Sequence, residues 1–135
     1  MNKFIIECVW YKSKRDFNKF IKAIEDPGLV IIDHLTIKNK LVKADPYREE
    51  PNDSIIALHI INQIKTIFSE DKETPTTIVY TFKNLSTDTV SNFKELIDSS
   101  TEESYTLVLN VLKMERTPSR TILNKFDCVK FMDND

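Results

Sequence analysis

The sequence predicts an α/β fold of three layers, in which helices cover both faces of a five-stranded, mostly parallel sheet. Segments rich in β-branched and aromatic residues alternate along the chain with segments of helical period. The strand-like segments are nearly continuous in apolar residues, which is typical of strands buried on both faces. The chain has 135 residues, and we expect a single domain over residues 1–135 with a core of its own.

The first half of the chain is predicted to begin with a strand over residues 3–11. A helix over residues 16–25 follows, with Asp16 as its N-cap and an Asp-Pro-Gly stop. Residues 29–35 form a second buried strand, and His34 is expected to face the edge of the sheet. Residues 36–44 alternate weakly and are predicted to extend that strand or to form an edge hairpin, before a loop over residues 45–53.

The second half of the chain is predicted to begin with a long helix over residues 54–68, capped by Ser54. This helix is apolar over more than half of its circumference, so we expect the sheet, with or without a partner protein, to cover it. Residues 77–82 form a buried strand and lead to a helix capped by Ser86 or Thr87. The remaining predicted elements are a strand over residues 105–112, one helical turn over residues 121–125 and a last strand over residues 128–132.

Composition excludes several classes of function. Gly28 is the only glycine, whereas phosphate-binding loops need several glycines for the close approach of their backbone, so a P-loop and a dinucleotide fingerprint are both excluded. Two cysteines and two histidines without ligand spacing predict no metal site, and we interpret Cys8 and Cys128 as buried thiols in a reducing compartment. The net charge of −2 predicts no general attraction to nucleic acid.

No signal peptide and no apolar run long enough to span a bilayer are found in the sequence. We therefore expect a cytoplasmic protein without a membrane partner. Paired carboxylates in the loops have no neighbouring base, and no hydroxyl or thiol nucleophile has a recognisable base beside it. These observations predict no catalytic residue.

The second half of the chain contains several short sequence motifs. A helix opens with SI at residues 54–55 and carries NQIK at residues 62–65, and a later helix carries NFKELI at residues 92–97. The sequence TILNKF at residues 121–126 then leads into VKF at residues 129–131. Together with the element order, these motifs resemble the nucleotide-binding domain of AAA+ clamp-loader subunits, of the bacterial DNA polymerase III delta-prime type.

The resemblance implies an AAA+-like domain that has lost its nucleotide chemistry. Residues 11–15, where the phosphate loop of the family would lie, contain no glycine, and Tyr80 and Thr81 stand near the positions of the metal-binding carboxylates. Lys125 falls where the family uses an arginine in trans, and lysine lacks the planar fork of that side chain. The zinc-binding cysteines of some relatives, the lid and the collar domain are expected to have no counterpart. We therefore expect no cofactor and no ATP turnover.

Two basic segments are the candidate partner-binding sites. Because loops that follow parallel strands share one edge of the sheet, the loop after the first strand and residues 113–120 are expected to form a basic rim, with scattered solvated charges as the alternative. Trp10 and Tyr11 are interpreted as core or strand-end residues, with stacking on a base as the alternative. The predicted partner-binding residues are Arg116, Arg120 and Lys125, followed by Lys12, Lys14 and Arg15.

The leading hypothesis is a non-enzymatic scaffold or accessory subunit that acts by protein–protein contact in DNA replication. Its expected partners are a sliding clamp or loader subunits, and weak contact with nucleic acid is left open. The alternative is a small accessory protein of a phage or mobile element that binds and modulates a host protein. A third hypothesis is an enzyme with a dispersed site at the carboxyl edge of the sheet.

Overall fold

The computed structural model describes residues 4–70, 76–100 and 104–132 and contains one five-stranded sheet in which all strands are parallel. Lys3, predicted to begin the first strand, lies outside the described residues. The strands are β1 (Phe4–Tyr11), β2 (Val30–Ile32), β3 (Thr76–Thr81), β4 (Tyr105–Leu112) and β5 (Cys128–Met132). Their order across the sheet is β2-β3-β1-β4-β5, so the first strand of the chain lies at the centre.

Helices lie on both faces of this sheet, which confirms the predicted three-layer α/β fold. The helices are α1 (Lys14–Lys22), α2 (His34–Ala44), α3 (Asp53–Ser69), α4 (Thr87–Ser100) and α5 (Arg120–Leu123). The connection from β1 to β2 runs towards one edge of the sheet, and every later connection runs towards the other. Right-handed crossovers therefore place α1 on one face and α2 to α5 on the opposite face.

Two apolar clusters correspond to the two faces. On the α1 side, Phe17 packs with Val9, Val79 and Leu112. On the other side, alternate residues of the strands pack with the inward stripe of α3 and with α4, and all six residues of β3 are buried. An aromatic group joins β3 to α4, because the Phe93 ring stacks on Tyr80 with ring centroids 4.3 Å apart and meets Phe82 edge-on at 5.7 Å.

The prediction for residues 33–44 is wrong. Strand β2 ends at Ile32, and α2 occupies the residues predicted to extend the strand or to form a hairpin. The physical reason is that Ile37 and Leu41, four residues apart, share one side of a helix and both pack into the core with α3. This helical period was overlooked because lysines and polar residues separate the two apolar residues.

Helix starts differ from the predictions in two places. Helix α1 begins at Lys14 after Ser13, two residues before the predicted cap Asp16, and it ends at Lys22. Helix α3 is capped by Asn52, whose Oδ1 accepts from the backbone N–H of Ile55 at 2.9 Å, and the predicted cap Ser54 lies inside the helix. Of the two caps predicted for α4, the structure selects Ser86, because its Oγ accepts from the Thr89 N–H at 3.1 Å and Thr87 is the first residue of the helix.

The two cysteines have different environments. Cys8 is buried, and this burial raises the pKa of its thiol to about 12. Cys128 is exposed on the edge strand β5, so the prediction that both thiols are buried is wrong for Cys128. Within the described residues, no helix is both long enough and apolar enough to cross a membrane.

The Asn52 cap gives a first testable prediction. We expect Asn52→Ala to lower the free energy of unfolding by about 1 kcal/mol, because the Ile55 N–H at the start of α3 loses its acceptor. Urea unfolding followed by circular dichroism measures this loss. Asn52→Asp keeps the acceptor and should unfold at nearly the wild-type urea concentration; equal losses in both variants would contradict the capping role.

Candidate functional site

The carboxyl ends of β1, β2 and β3 meet at a polar network centred on Asp33. The Asp33 side chain is only 4% exposed. Its Oδ1 accepts hydrogen bonds from the Tyr11 hydroxyl at 3.0 Å and from the Thr81 hydroxyl at 2.8 Å, while its Oδ2 is paired with the Lys14 ammonium. Each partner comes from a different element, because Tyr11 ends β1, Thr81 ends β3 and Lys14 begins α1.

The charge state of Asp33 follows from these partners. Burial opposes ionisation, but the Lys14 ammonium and the hydroxyls of Thr81 and Tyr11 outweigh it, so the pKa of Asp33 lies below its usual value. The same contacts act on Tyr11, whose pKa is raised by burial and by the negative charge and hydrogen bond of Asp33. Asp33 is therefore a carboxylate, and Tyr11 is a neutral donor.

His34 extends the network into the start of α2. Its backbone N–H donates to Thr81 Oγ1 at 2.9 Å, and its Nδ1 lies 2.6 Å from the same oxygen. Because the Thr81 proton goes to Asp33, Nδ1 carries a hydrogen and donates, which fills the hydrogen-bonding capacity of the hydroxyl. Burial lowers the pKa of His34, so the ring is neutral at neutral pH. His34 was expected on a strand at the sheet edge; this is wrong, since it is a buried first residue of α2.

Lys14 is held over aromatic rings as well as beside Asp33. The rings of Tyr11 and Phe17 stack with centroids 4.7 Å apart, and the Lys14 Nζ lies 4.8 Å from the Phe17 centroid and 5.9 Å from that of Tyr11. Only Lys12 and Ser13 separate β1 from α1. Side chains of the protein itself therefore occupy the space beyond the end of the central strand.

The network has little spare chemical capacity. Asp33 is an ionised acceptor with both oxygens engaged, which makes it a poor general base.

His34 borders a cleft of about 370 Å³, whose charged lining residues include Lys38, Asp53 and Lys83. Over residues 4–70, 76–100 and 104–132, every buried side-chain polar atom has a partner and no three His, Cys, Asp or Glu residues are placed to hold a metal ion.

The structure brings together the loop after β1 and the loop after β4. Lys12 pairs with Glu115, and the Lys113 Nζ lies 3.3 Å from Asp16 Oδ1. These pairs join the two predicted basic segments, and they also neutralise two of the lysines. Arg15 and Arg116 are exposed near these pairs.

The other predicted partner-binding residues do not all lie at this edge. Lys125 precedes Asp127, whose backbone N–H and carboxylate both bond Leu107 near the start of β4, each at 2.8 Å. Lys125 therefore lies towards the amino edge of the sheet. Arg120 is the exposed first residue of α5. Lys12, Lys14, Arg15 and Arg116 share the carboxyl edge, and Lys125 does not.

The centre of the network was not predicted from the sequence. Asp33 lies in an apolar run for which the sequence predicts one continuous strand. Thr81 drew attention only because it stands near a position where the AAA+ family has a metal-binding carboxylate. The signal that could have placed Asp33 just before a helix is an acidic residue directly after an apolar run, followed by Ile37 and Leu41 at helical spacing. Tyr11 is a strand-end residue as predicted, and Trp10 is buried in the core.

Neither a family model, nor a curated protein, nor a solved structure matches the chain.

Proposed function

We propose that this protein is a non-catalytic scaffold or accessory subunit that acts by protein–protein contact in DNA replication, in the manner of a clamp-loader subunit. The observation that carries the non-catalytic part of the proposal is the Asp33 network. In open α/β sheets, ligands bind beyond the carboxyl ends of the strands. Here that position is filled by Tyr11, Lys14 and Thr81, all bound to Asp33.

The network supports a structural role for groups that would otherwise serve a nucleotide. A phosphate site needs free backbone N–H groups and an uncompensated positive charge. The connection between β1 and α1 is two residues long and has no glycine, and Lys14, the first residue of α1, is neutralised by Asp33. At the end of β3, the Thr81 hydroxyl donates to Asp33 and accepts from His34.

The replication setting of the proposal is supported by the resemblance of residues 54–131 to clamp-loader subunits. In this setting the partners are a sliding clamp or loader subunits. The exposed Arg15 and Arg116 at the carboxyl edge supply one basic contact, and Arg120 and Lys125 supply a second. Charges placed at the rim of an interface mainly change the association rate and its salt dependence.

Charge reversal tests this proposal. We expect Arg15→Glu combined with Arg116→Glu to weaken binding to a clamp or loader subunit at least about tenfold, because the basic rim becomes acidic. Arg120→Glu combined with Lys125→Glu tests the second contact. Surface plasmon resonance at two salt concentrations measures both pairs, and Lys22→Glu, an exposed change at the far end of α1, is the control. Wild-type protein that binds neither clamp nor loader would contradict the proposal.

A nucleotide panel tests the absence of nucleotide chemistry. A ligand that binds only the folded state raises the melting temperature. The proposal expects no rise with adenine or guanine nucleotides, with or without Mg²⁺. A rise that disappears in Lys83→Ala, at the cleft beside His34, would favour an enzyme with a site at the carboxyl edge.

A second candidate function is an accessory protein of a phage or mobile element that modulates a host protein. Exposed apolar side chains on α2 and α3, including Val42 and Leu58, favour a protein partner in this case as well. Specific binding to a host enzyme unrelated to replication, with no binding to clamp or loader, would select this candidate.

A further inference from the structure

Exposed apolar side chains are concentrated on one part of the surface. Among the described residues, nine large hydrophobic side chains are exposed, and five of them lie on α2, on α3 or on the loop between these helices. These five are Leu35, Val42, Tyr47, Ile55 and Leu58. A concentration of exposed apolar side chains usually marks an interaction site, whereas exposed hydrophobic residues without such a role are scattered singly over a surface.

The patch includes a groove, which we call the α2–α3 groove. It lies between the end of α2 and the start of α3, is closed by the intervening loop, and has a volume of about 570 Å³. Leu41, Val42, Pro51 and Ile55 form its apolar wall. Val42 is 40% exposed and Ile55 is 45% exposed, so both present apolar surface to solvent. Leu58, at 55% exposure, continues this surface one helical turn along α3.

The rim of the α2–α3 groove is acidic. Asp45, Glu49 and Glu50 line it together with a single arginine, Arg48. Asp45 has Arg48 at 3.8 Å and Glu50 has Lys38 at 2.7 Å, while Glu49 has no ion pair among the described residues. Two of the three rim carboxylates are thus compensated, and Glu49 supplies the uncompensated negative charge that complements a cationic partner.

We propose that the α2–α3 groove binds an amphipathic helix of a partner protein, with apolar anchors in the groove and lysine or arginine residues facing the acidic rim. A groove between two helices suits the helix-in-groove mode of recognition, in which an apolar stripe supplies affinity. Charge complementarity with Glu49 and its neighbours supplies orientation. The inference rests on the proposed protein-binding function and adds a surface and a partner chemistry to it.

Helix α1 of a second copy does not supply that helix. Helix α2 carries Lys38, Lys40 and Lys43 and forms one wall of the groove, and the other basic helix is α1, which carries Lys14, Arg15, Lys19 and Lys22. Its apolar stripe, however, is already packed against the sheet around Phe17. The proposed occupant is therefore a helix of a partner protein, and an interface between copies of this chain is an outcome that the sedimentation test below separates.

Two synthetic helices test the proposal. Both carry the same leucine stripe, and one has a polar face of lysine while the other has a polar face of glutamate. We expect the lysine-faced helix to bind the wild-type protein in a fluorescence anisotropy titration and the glutamate-faced helix to fail. The affinity for the lysine-faced helix should fall as salt rises.

Variants locate the binding. We expect Val42→Asp to weaken binding of the lysine-faced helix at least about tenfold, and Glu49→Lys to weaken it about threefold and to reduce the salt dependence. Met132→Asp removes a side chain of similar exposure, 46%, from strand β5 and should bind like the wild type. Circular dichroism and the urea midpoint establish that each variant is folded.

Three outcomes would overturn the proposal. They are equal binding of both synthetic helices, equal binding by Val42→Asp and wild type, and a wild-type dimer in sedimentation that Val42→Asp dissociates. The first two exclude a specific site, and the third makes the groove an interface between copies. If the lysine-faced helix binds at the groove while clamp and loader subunits do not bind, the replication setting fails and the groove inference stands. The reverse result removes only the groove inference.

Discussion

Replacing Asp33 by asparagine is expected to lower the free energy of unfolding at pH 7 by about 3 kcal/mol, at the lower end of the range for breaking a buried ion pair. The substitution removes the negative charge that pairs with Lys14 and places an amide donor against other donors. Lys14 is 46% exposed and can turn towards water, which keeps the loss at this lower end. Chemical unfolding in urea, followed by Trp10 fluorescence, measures the change.

The same carboxylate gives a pH dependence with a defined sign. The pKa of Asp33 in the folded state is lower than its usual value, so the unfolded chain binds the proton more readily. The contribution of the Asp33 carboxylate to the free energy of unfolding is therefore fully present above the pKa of the unfolded chain, about 3.9. This contribution is lost as pH falls through the lower pKa of the folded state. We expect the stability difference between wild type and Asp33→Asn to shrink as pH falls from about 5.

Lys14→Met is the control for this interpretation. It keeps the alkyl contact with Phe17 and removes the ammonium, so the pKa of Asp33 should rise and the acid-induced loss of stability should begin at a higher pH. A difference between wild type and Asp33→Asn that stays constant from pH 7 to strongly acid conditions would show that the Asp33 charge has no stabilising role.

Replacing Phe93 by alanine is expected to cost about 4 kcal/mol of unfolding free energy. The Phe93 side chain is fully buried between α4 and β3, and the substitution removes ring contacts with both Tyr80 and Phe82 while leaving a cavity. The thermal melting temperature should fall by well over ten degrees, a shift expected for a loss of this size in a domain of this length. Differential scanning calorimetry measures it.

Phe93→Leu separates the cavity from the loss of aromatic contacts. Leucine fills much of the space, so we expect this variant to lose less than half as much stability as Phe93→Ala. If both variants melt within a few degrees of the wild type, the aromatic group does not hold α4 on the sheet.

The layered architecture could be predicted because its signals are local. The continuous apolar run of β3 indicates burial on both faces, and the isoleucines of α3 at helical spacing indicate a helix packed on the sheet. The cap of α4 could be narrowed to Ser86 or Thr87 from the position of these residues before a periodic segment. These features depend on residues within one or two turns of each other.

The candidate site could not be predicted because its parts come together only in the folded sheet. The hydrogen bonds of the network join residues that are distant in the sequence: Tyr11 lies 22 residues from Asp33, and Thr81 lies 48 residues from it. These residues meet because β3 lies between β1 and β2 in the sheet. Helix α2 was predicted as strand or hairpin because the apolar run of β2 is followed directly by residues that alternate weakly between apolar and polar. The position of Lys125 towards the amino edge follows from the contact of Asp127 with Leu107, which no local pattern indicates.

The central position of β1 has a consequence for how the chain folds. Phe4 pairs with Thr76 on one side and with Tyr105 on the other, so its neighbours lie 72 and 101 residues later in the sequence. Closing such long loops is entropically costly, and folds dominated by distant pairings form slowly. During synthesis, β1 leaves the ribosome before the other strands of the sheet; one of its edges stays unpaired until β3 has been made, and the other until β4 has been made. Its apolar residues and unpaired edges are prone to aggregation in that interval, and a chaperone bound to the nascent chain would protect them.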